Sequence, residues 1–111
     1  MPTRCLRISV YISESDEWHG RPLYLEVLRM LHRRGIAGGT VLRAVAGFTG
    51  KGGVETTSLV DAGGKLPLVI EFIDRQGKVE SVLPELKEMA AHRLIVSEEV
   101  RVEGDGLGTM E

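Results

Sequence analysis

The apolar residues of this chain repeat at two spacings, two and about 3.6, and the order of those spacings leaves few folds open. Leu6, Ile8, Val10 and Ile12 alternate with Arg7, Ser9 and Tyr11, which predicts a strand over Arg4 to Ile12. After the polar turn Ser13-Glu14-Ser15-Asp16-Glu17 and Trp18-His19-Gly20-Arg21, Pro22 suits a first helical position. Leu23, Tyr24, Val27, Leu28 and Leu31 then recur at helical spacing, with Gly35 placed as a left-handed cap. Small and β-branched residues from Thr40 to Phe48, introduced by Gly38-Gly39, predict a second strand. Leu66 to Asp74 predicts a third, with Arg75-Gln76-Gly77 as the turn after it. Val79, Val82, Leu83, Leu86, Met89 and Ala90 form another helical stripe, with a kink or late start expected at Pro84. Leu94, Val96, Val100 and Val102 alternate as a last strand.

The resulting class is α+β, a ferredoxin-like βαββαβ domain whose two helices cover one face of a four-stranded antiparallel sheet. Residues 1–103 make this domain, and 104–111 are a flexible glycine-rich tail. A length of 111 residues fits one such unit, and 42% hydrophobic against 27% charged residues excludes a disordered chain. The sheet face turned from the helices is expected to carry Tyr11, Val41, Val45, Val69, Ile73 and Ile95, interrupted by Arg7, Arg43 and Glu71. With no helix left to cover it, that face predicts an oligomer, in which Glu71 pairs with Arg7 or Arg43. The alternative is an ordinary solvated face with scattered apolar residues.

Charge and cysteine usage narrow the function. Fourteen Lys plus Arg against sixteen Asp plus Glu give a net charge of -2, unlike the basic excess of a nucleic-acid binder. Arg29 and His32 to Arg34 are therefore read as a helix end with its dipole-matching cations, and His92 as the end of the second helix. The longest apolar run, Leu66 to Ile70, is far short of a membrane span, and the start of the chain lacks a signal-peptide pattern. The single cysteine, Cys5, forms no internal disulfide, so the cytoplasm is the expected compartment and packing its expected role. No His-Glu-x-x-His or Cys-x-x-Cys motif occurs, and no nucleophile–base arrangement is legible, which predicts a non-enzyme with no catalytic residues and no metal site. Glu14, Asp16, Glu17 and His19 have metal-ligand chemistry. The commoner use of such residues is that Ser15 or Asp16 caps a short helical turn while Trp18 packs over the helix start.

Thr49 to Lys65 joins two strands expected to be hairpin neighbours, where two to five residues usually suffice. Its five glycines let backbone N–H groups turn toward an anion, and Lys51 supplies matching charge. The bland alternative is a flexible hairpin, or an extension in which Glu55 to Val60 pair as extra strand. Gly50-Lys51 is followed by Gly52 where a Walker loop needs Ser or Thr, and no glycine-rich stretch opens a helix after a strand.

Three stretches resemble the domain-of-unknown-function family 190: Tyr11 to Tyr24, Arg34 to Arg43, and Leu66-Pro67-Leu68-Val69-Ile70-Glu71. The similarity runs from about Thr3 to Val102. That family is similar to the PII signalling proteins, ferredoxin-like homotrimers that bind adenine nucleotides between subunits and dock on transporters and enzymes through a long loop after the second strand. The resemblance implies that 49–65 is this T-loop and that the apolar sheet face is the trimer core. It implies an adenine-nucleotide effector, no resident cofactor, and a membrane transporter or enzyme as target, without nucleic acid or membrane insertion. For such an effector the expected binding residues are Gly47, Thr49, Gly50, Lys51, Gly52 and Gly53 of the loop, with Arg43 and Arg101 added as charge from the topology alone. PII proteins carry a second glycine-rich phosphate loop before the fourth strand, whereas here Met89-Ala90-Ala91-His92-Arg93-Leu94 crosses without glycine. The alternatives are an effector-independent interaction module, or a divalent-metal-binding trimer resembling the divalent-cation tolerance proteins.

Overall fold

A computed structural model of the chain describes residues 2–56 and 65–108. Strand β1 (Thr3–Ser13) precedes a small ribbon of β2 (Glu17–Trp18) and β3 (Arg21–Pro22), and then helix α1 (Leu23–Arg33). β4 (Gly38–Arg43) leads to a second ribbon, β5 (Ala46–Gly47) and β6 (Glu55–Thr56). β7 (Pro67–Arg75) runs directly into α2 (Gln76–Met89), and β8 (Leu94–Val102) completes the order. The long strands form one antiparallel sheet ordered β4-β7-β1-β8, the ferredoxin-like βαββαβ topology the periodicities predicted.

The core lies between this sheet and the two helices. Ile8, Val10 and Ile12 stand opposite Phe72, Ile70 and Leu68 across β1 and β7. All six are buried in one cluster with Val27, Met30 and Leu31 of α1 and Val79, Val82 and Leu86 of α2. Helix α1 ends as its sequence predicted. Gly35 takes φ +78, the Gly35 N–H bonds the His32 carbonyl, and the Ile36 N–H reaches back to Leu31. This bond pair is a Schellman cap, and it returns Ile36 to the core.

Several boundaries differ from the sequence reading. Pro22 closes β3 one residue before α1 instead of opening the helix. No helical turn forms at Ser15 or Asp16. The chain instead makes a hairpin whose two-residue loop, His19 and Gly20, has φ +51 and +77, as a type I′ turn requires. Trp18 does pack against the core, and its ring stacks on that of His19. Helix α2 starts at Gln76, inside the expected turn, and runs through Pro84. Pro84 is exposed, on the side away from the buried Val82 and Leu86, so its ring is accommodated without entering the core. His92 lies three residues beyond that helix, in the turn before β8.

Pairing to β7 also corrects the outer face. Val41 stands opposite Ile70, and Ile95 opposite Val10, so both belong to the helix side and pack on the core. Arg43, opposite Leu68, lies on that side too, and Val45 falls beyond the end of β4. The outer face instead presents a row, Leu42-Val69-Tyr11-Leu94, running across all four strands. The next row is Thr40-Glu71-Ser9-Val96, and the one after it Gly38-Ile73-Arg7-Glu98. Arg7 pairs with Glu98 at 2.8 Å, not with Glu71, because Glu98 is its direct cross-strand neighbour. Beyond Val102 the chain is described as far as Gly108, whose carbonyl accepts a bond from Arg75.

One buried carboxylate ties the α1–β4 connection to the β7–α2 junction. Asp74 is 1% exposed, and its two oxygens accept the N–H groups of Ala37 and Arg75 at 2.9 and 2.7 Å. Removing it leaves two backbone donors unpaired, so Asp74→Ala is expected to lower the unfolding free energy by about 2–4 kcal/mol. Urea denaturation of the two proteins measures this directly.

Candidate functional site

The site forms where three turns meet at one end of β1. The first turn, after β1, is held by its own side chains. The Ser13 N–H donates to Asp16 Oδ2 at 2.8 Å, the Asp16 N–H donates to the Ser13 carbonyl, and the hydroxyls of Ser13 and Ser15 share a hydrogen bond. Within it Glu14 accepts the Leu66 N–H at 3.0 Å and the Arg43 guanidinium at 2.7 Å. The Leu66 bond foremost, and then Arg43, hold the Glu14 carboxyl below the usual glutamate range.

The second turn carries the glycines. β5 and β6 pair as Ala46 with Thr56 and Gly47 with Glu55, which closes the segment between them. Inside it the Gly52 N–H donates to the Thr49 carbonyl at 3.0 Å, and Gly50 takes φ +57. A left-handed residue at this point is cheap only for glycine, which is why the tight turn forms here. Of the expected extension over Glu55 to Val60, Glu55 and Thr56 do pair; the remainder, with the T-loop assignment of 57–64, lies outside the described residues.

The third turn joins α2 to β8. The Arg93 N–H donates to the Ala90 carbonyl, and His92 takes φ +66. A histidine thus adopts the backbone conformation usually left to glycine or asparagine. Arg93 donates in turn to Asp16 Oδ1, linking the third turn to the first.

Between these turns lies an open cleft of about 650 Å³, lined by Asp16, Thr49, Lys51, Gly53, His92 and Arg93 among others. A second cleft of about 490 Å³ shares Thr49, Gly50, His92 and Arg93 with it and adds Tyr11, Phe48 and Leu94. One compartment carries the cations Lys51 and Arg93, the carboxylates Asp16 and Glu55 and glycine backbone, while its neighbour has an aromatic and aliphatic wall. Phe48 and Leu94 are each 64% exposed.

Of the residues singled out in the sequence, Thr49, Gly50, Lys51, Gly52 and Gly53 are brought together in this cleft. Gly47 sits just behind it in β5, where an added Cβ would stand 3.3 Å from the Pro67 ring. Arg43 is engaged by Glu14 and does not line the cleft. Arg101 pairs with Glu103 and stands opposite Arg4, at the far end of β1 from Tyr11 and Leu94. His92, Arg93 and Asp16 were missed as a group. The signal available for them was that the α2–β8 crossing must fall beside the end of β1 in this topology. The acidic turn uses its carboxylates on guanidinium and backbone partners, and among the described residues no group of three metal-ligating side chains converges. No described helix is long and apolar enough to cross a membrane.

A ferredoxin-like sheet with a glycine turn and a facing α2–β8 turn at one end is the PII-like fold. Residues 5–102 match the model of family DUF190, described as "Uncharacterized ACR, COG1993", and the chain belongs to that family. It is 33% identical over 96 residues to the UPF0166 protein of Aquifex aeolicus (strain VF5), covering 86% of this chain and 90% of that one. Among solved structures it is similar to CPII, a nitrogen regulatory PII-like protein from Thiomonas intermedia K12 bound to ADP, AMP and bicarbonate. That likeness has a TM-score of 0.68 at 14% identity and covers 92% and 91% of the two chains. The B. subtilis GlnK–ATP complex aligns with a TM-score of 0.56 at 13% identity, over 87% and 82%.

The Glu14 contacts predict a pH dependence. A carboxyl whose folded value is depressed contributes stability that is fully present above its unfolded value, about 4.3, and is lost as pH falls through the folded one. Urea midpoints of the wild type are therefore expected to fall more steeply below about pH 5 than those of Glu14→Gln. Parallel curves for the two proteins would contradict this.

Proposed function

We propose that this chain is a PII-like regulatory protein whose cleft between the glycine turn and the α2–β8 turn takes a small anionic effector, an adenine nucleotide. The observation that carries the reading is the convergence of Lys51, Arg93 and the Thr49–Gly53 backbone on one polar cleft beside an apolar one. Charge-assisted bonds from the two side chains suit phosphate oxygens. The wall of Tyr11, Phe48 and Leu94 suits a flat ring. Adenine nucleotides in the CPII and GlnK structures support the choice of effector.

In this reading the chain is a homotrimer, and its apolar row of Leu42, Val69, Tyr11 and Leu94 is covered by other copies. Segment 49–65 docks on a transporter or an enzyme, and effector occupancy changes which loop arrangement is populated. Arg43 and Arg101, held by Glu14 and Glu103, take no part in the proposed site. The protein acts by binding, without catalysis, and works in the cytoplasm.

Calorimetry with ATP, ADP, AMP and cyclic AMP tests the effector: heat is expected with at least one of them, and Lys51→Ala should weaken that binding about tenfold. Absence of heat with all four contradicts it. Light scattering tests the assembly, with a mass about three times 12.2 kDa expected and a single-chain mass contradicting it.

A further inference from the structure

Arg93 is engaged by an internal anion. Its guanidinium donates to Asp16 across the cleft, and both residues line it. The Asp16 side chain is only 12% exposed, while that of Arg93 is 35% exposed. Asp16 is a junction as well as a partner. Its other carboxylate oxygen holds the Ser13 N–H, and its backbone carbonyl accepts the Leu23 N–H at 2.9 Å where α1 begins. The contact thus bridges residues 77 apart and connects the α2–β8 turn to the β1–β2 turn and the start of α1.

An anion entering the cleft meets this carboxylate as a like charge and a competitor for the same guanidinium. We propose that Asp16 is an internal counter-ion of Arg93, and that a phosphate-bearing effector binds by displacing it. The inference rests on the anion-site reading above and adds its regulation. Arg93 exchanges one oxyanion partner for another, so occupancy is opposed by the Asp16 contact and the exchange loosens the turn that Asp16 holds. Asp16 is a positioning residue here, setting affinity through Arg93. Asparagine at position 16 keeps an oxygen for the Ser13 N–H and removes the competing charge.

Calorimetry with ATP and with inorganic tripolyphosphate on the full chain tests this. Asp16→Asn is expected to bind both about tenfold more tightly than the wild type. Arg93→Gln should bind both about tenfold more weakly, and Asp16→Asn should bring no gain in the Arg93→Gln background. Equal or weaker binding by Asp16→Asn, with wild-type binding intact, overturns the counter-ion and leaves the anion site standing. An equal gain without Arg93 overturns it too, since Asp16 then acts by repulsion alone. No binding by any of the four proteins overturns the anion site and the counter-ion together. Should Asp16→Asn fail to fold, amide exchange of the wild type reads the same step. Faster exchange at Ser13 and Leu23 on adding tripolyphosphate supports the exchange of partners, and unchanged protection overturns it.

Discussion

Strand β1 is paired along nearly its whole length on both sides, with β7 from Cys5 to Ser13 and with β8 from Thr3 to Tyr11. That double register decides which side chains meet. It sends Ile8, Val10 and Ile12 into the helices and leaves Arg7, Ser9 and Tyr11 outside. It also fixes the place of the cleft. Because Tyr11 stands opposite Leu94, the turn that leaves β1 and the turn that enters β8 arrive at the same end of the sheet. The glycine turn arrives there as well, since β4 ends opposite Leu68, near the start of β7.

The two faces of the sheet are unequal in kind. The helix side is buried in one apolar cluster, with Asp74 as a buried carboxylate whose two oxygens are both hydrogen-bonded. The outer side grades from an apolar row near the cleft, through Ser9, Glu71 and Thr40, to the Arg7–Glu98 pair. In the proposed assembly the apolar strip at one end supplies area to bury, and the matched charge further along sets the register. The apolar end adjoins the cleft through Tyr11 and Leu94, so the outer face and the cleft share side chains.

Much of this was legible in the residues. Helical spacing with Gly35 gave α1 and its cap, alternation gave β1, and a compact apolar run gave β7, because each of these buries one clear face. Alternation of Leu94 and Val96 gave β8 as well, although both stand exposed on the outer face and it is Ile95 between them that packs on the core. β4 was not legible in the same way. Gly38-Gly39-Thr40-Val41-Leu42-Arg43-Ala44-Val45 has apolar residues in both parities, so only pairing to β7 decides that Val41 turns inward and Leu42 outward. In the candidate site, the glycine turn announced itself through excess length and composition. Its partner did not, since nothing in Ala90-Ala91-His92-Arg93 foretells a left-handed histidine or an arginine committed to a carboxylate 77 residues away. Arg43 and Arg101 were named from topology, and their local carboxylates, Glu14 and Glu103, are what hold them where they are.

The account turns on two turns from distant parts of the chain making one anion site. Amide chemical-shift mapping of the 15N-labelled protein during an ATP titration tests this most directly. Shifts are predicted to be largest from Thr49 to Gly53 and at His92 and Arg93, saturating together. Saturable shifts confined to the opposite end of the sheet around Arg4 and Arg101, or none at these two turns, would contradict it.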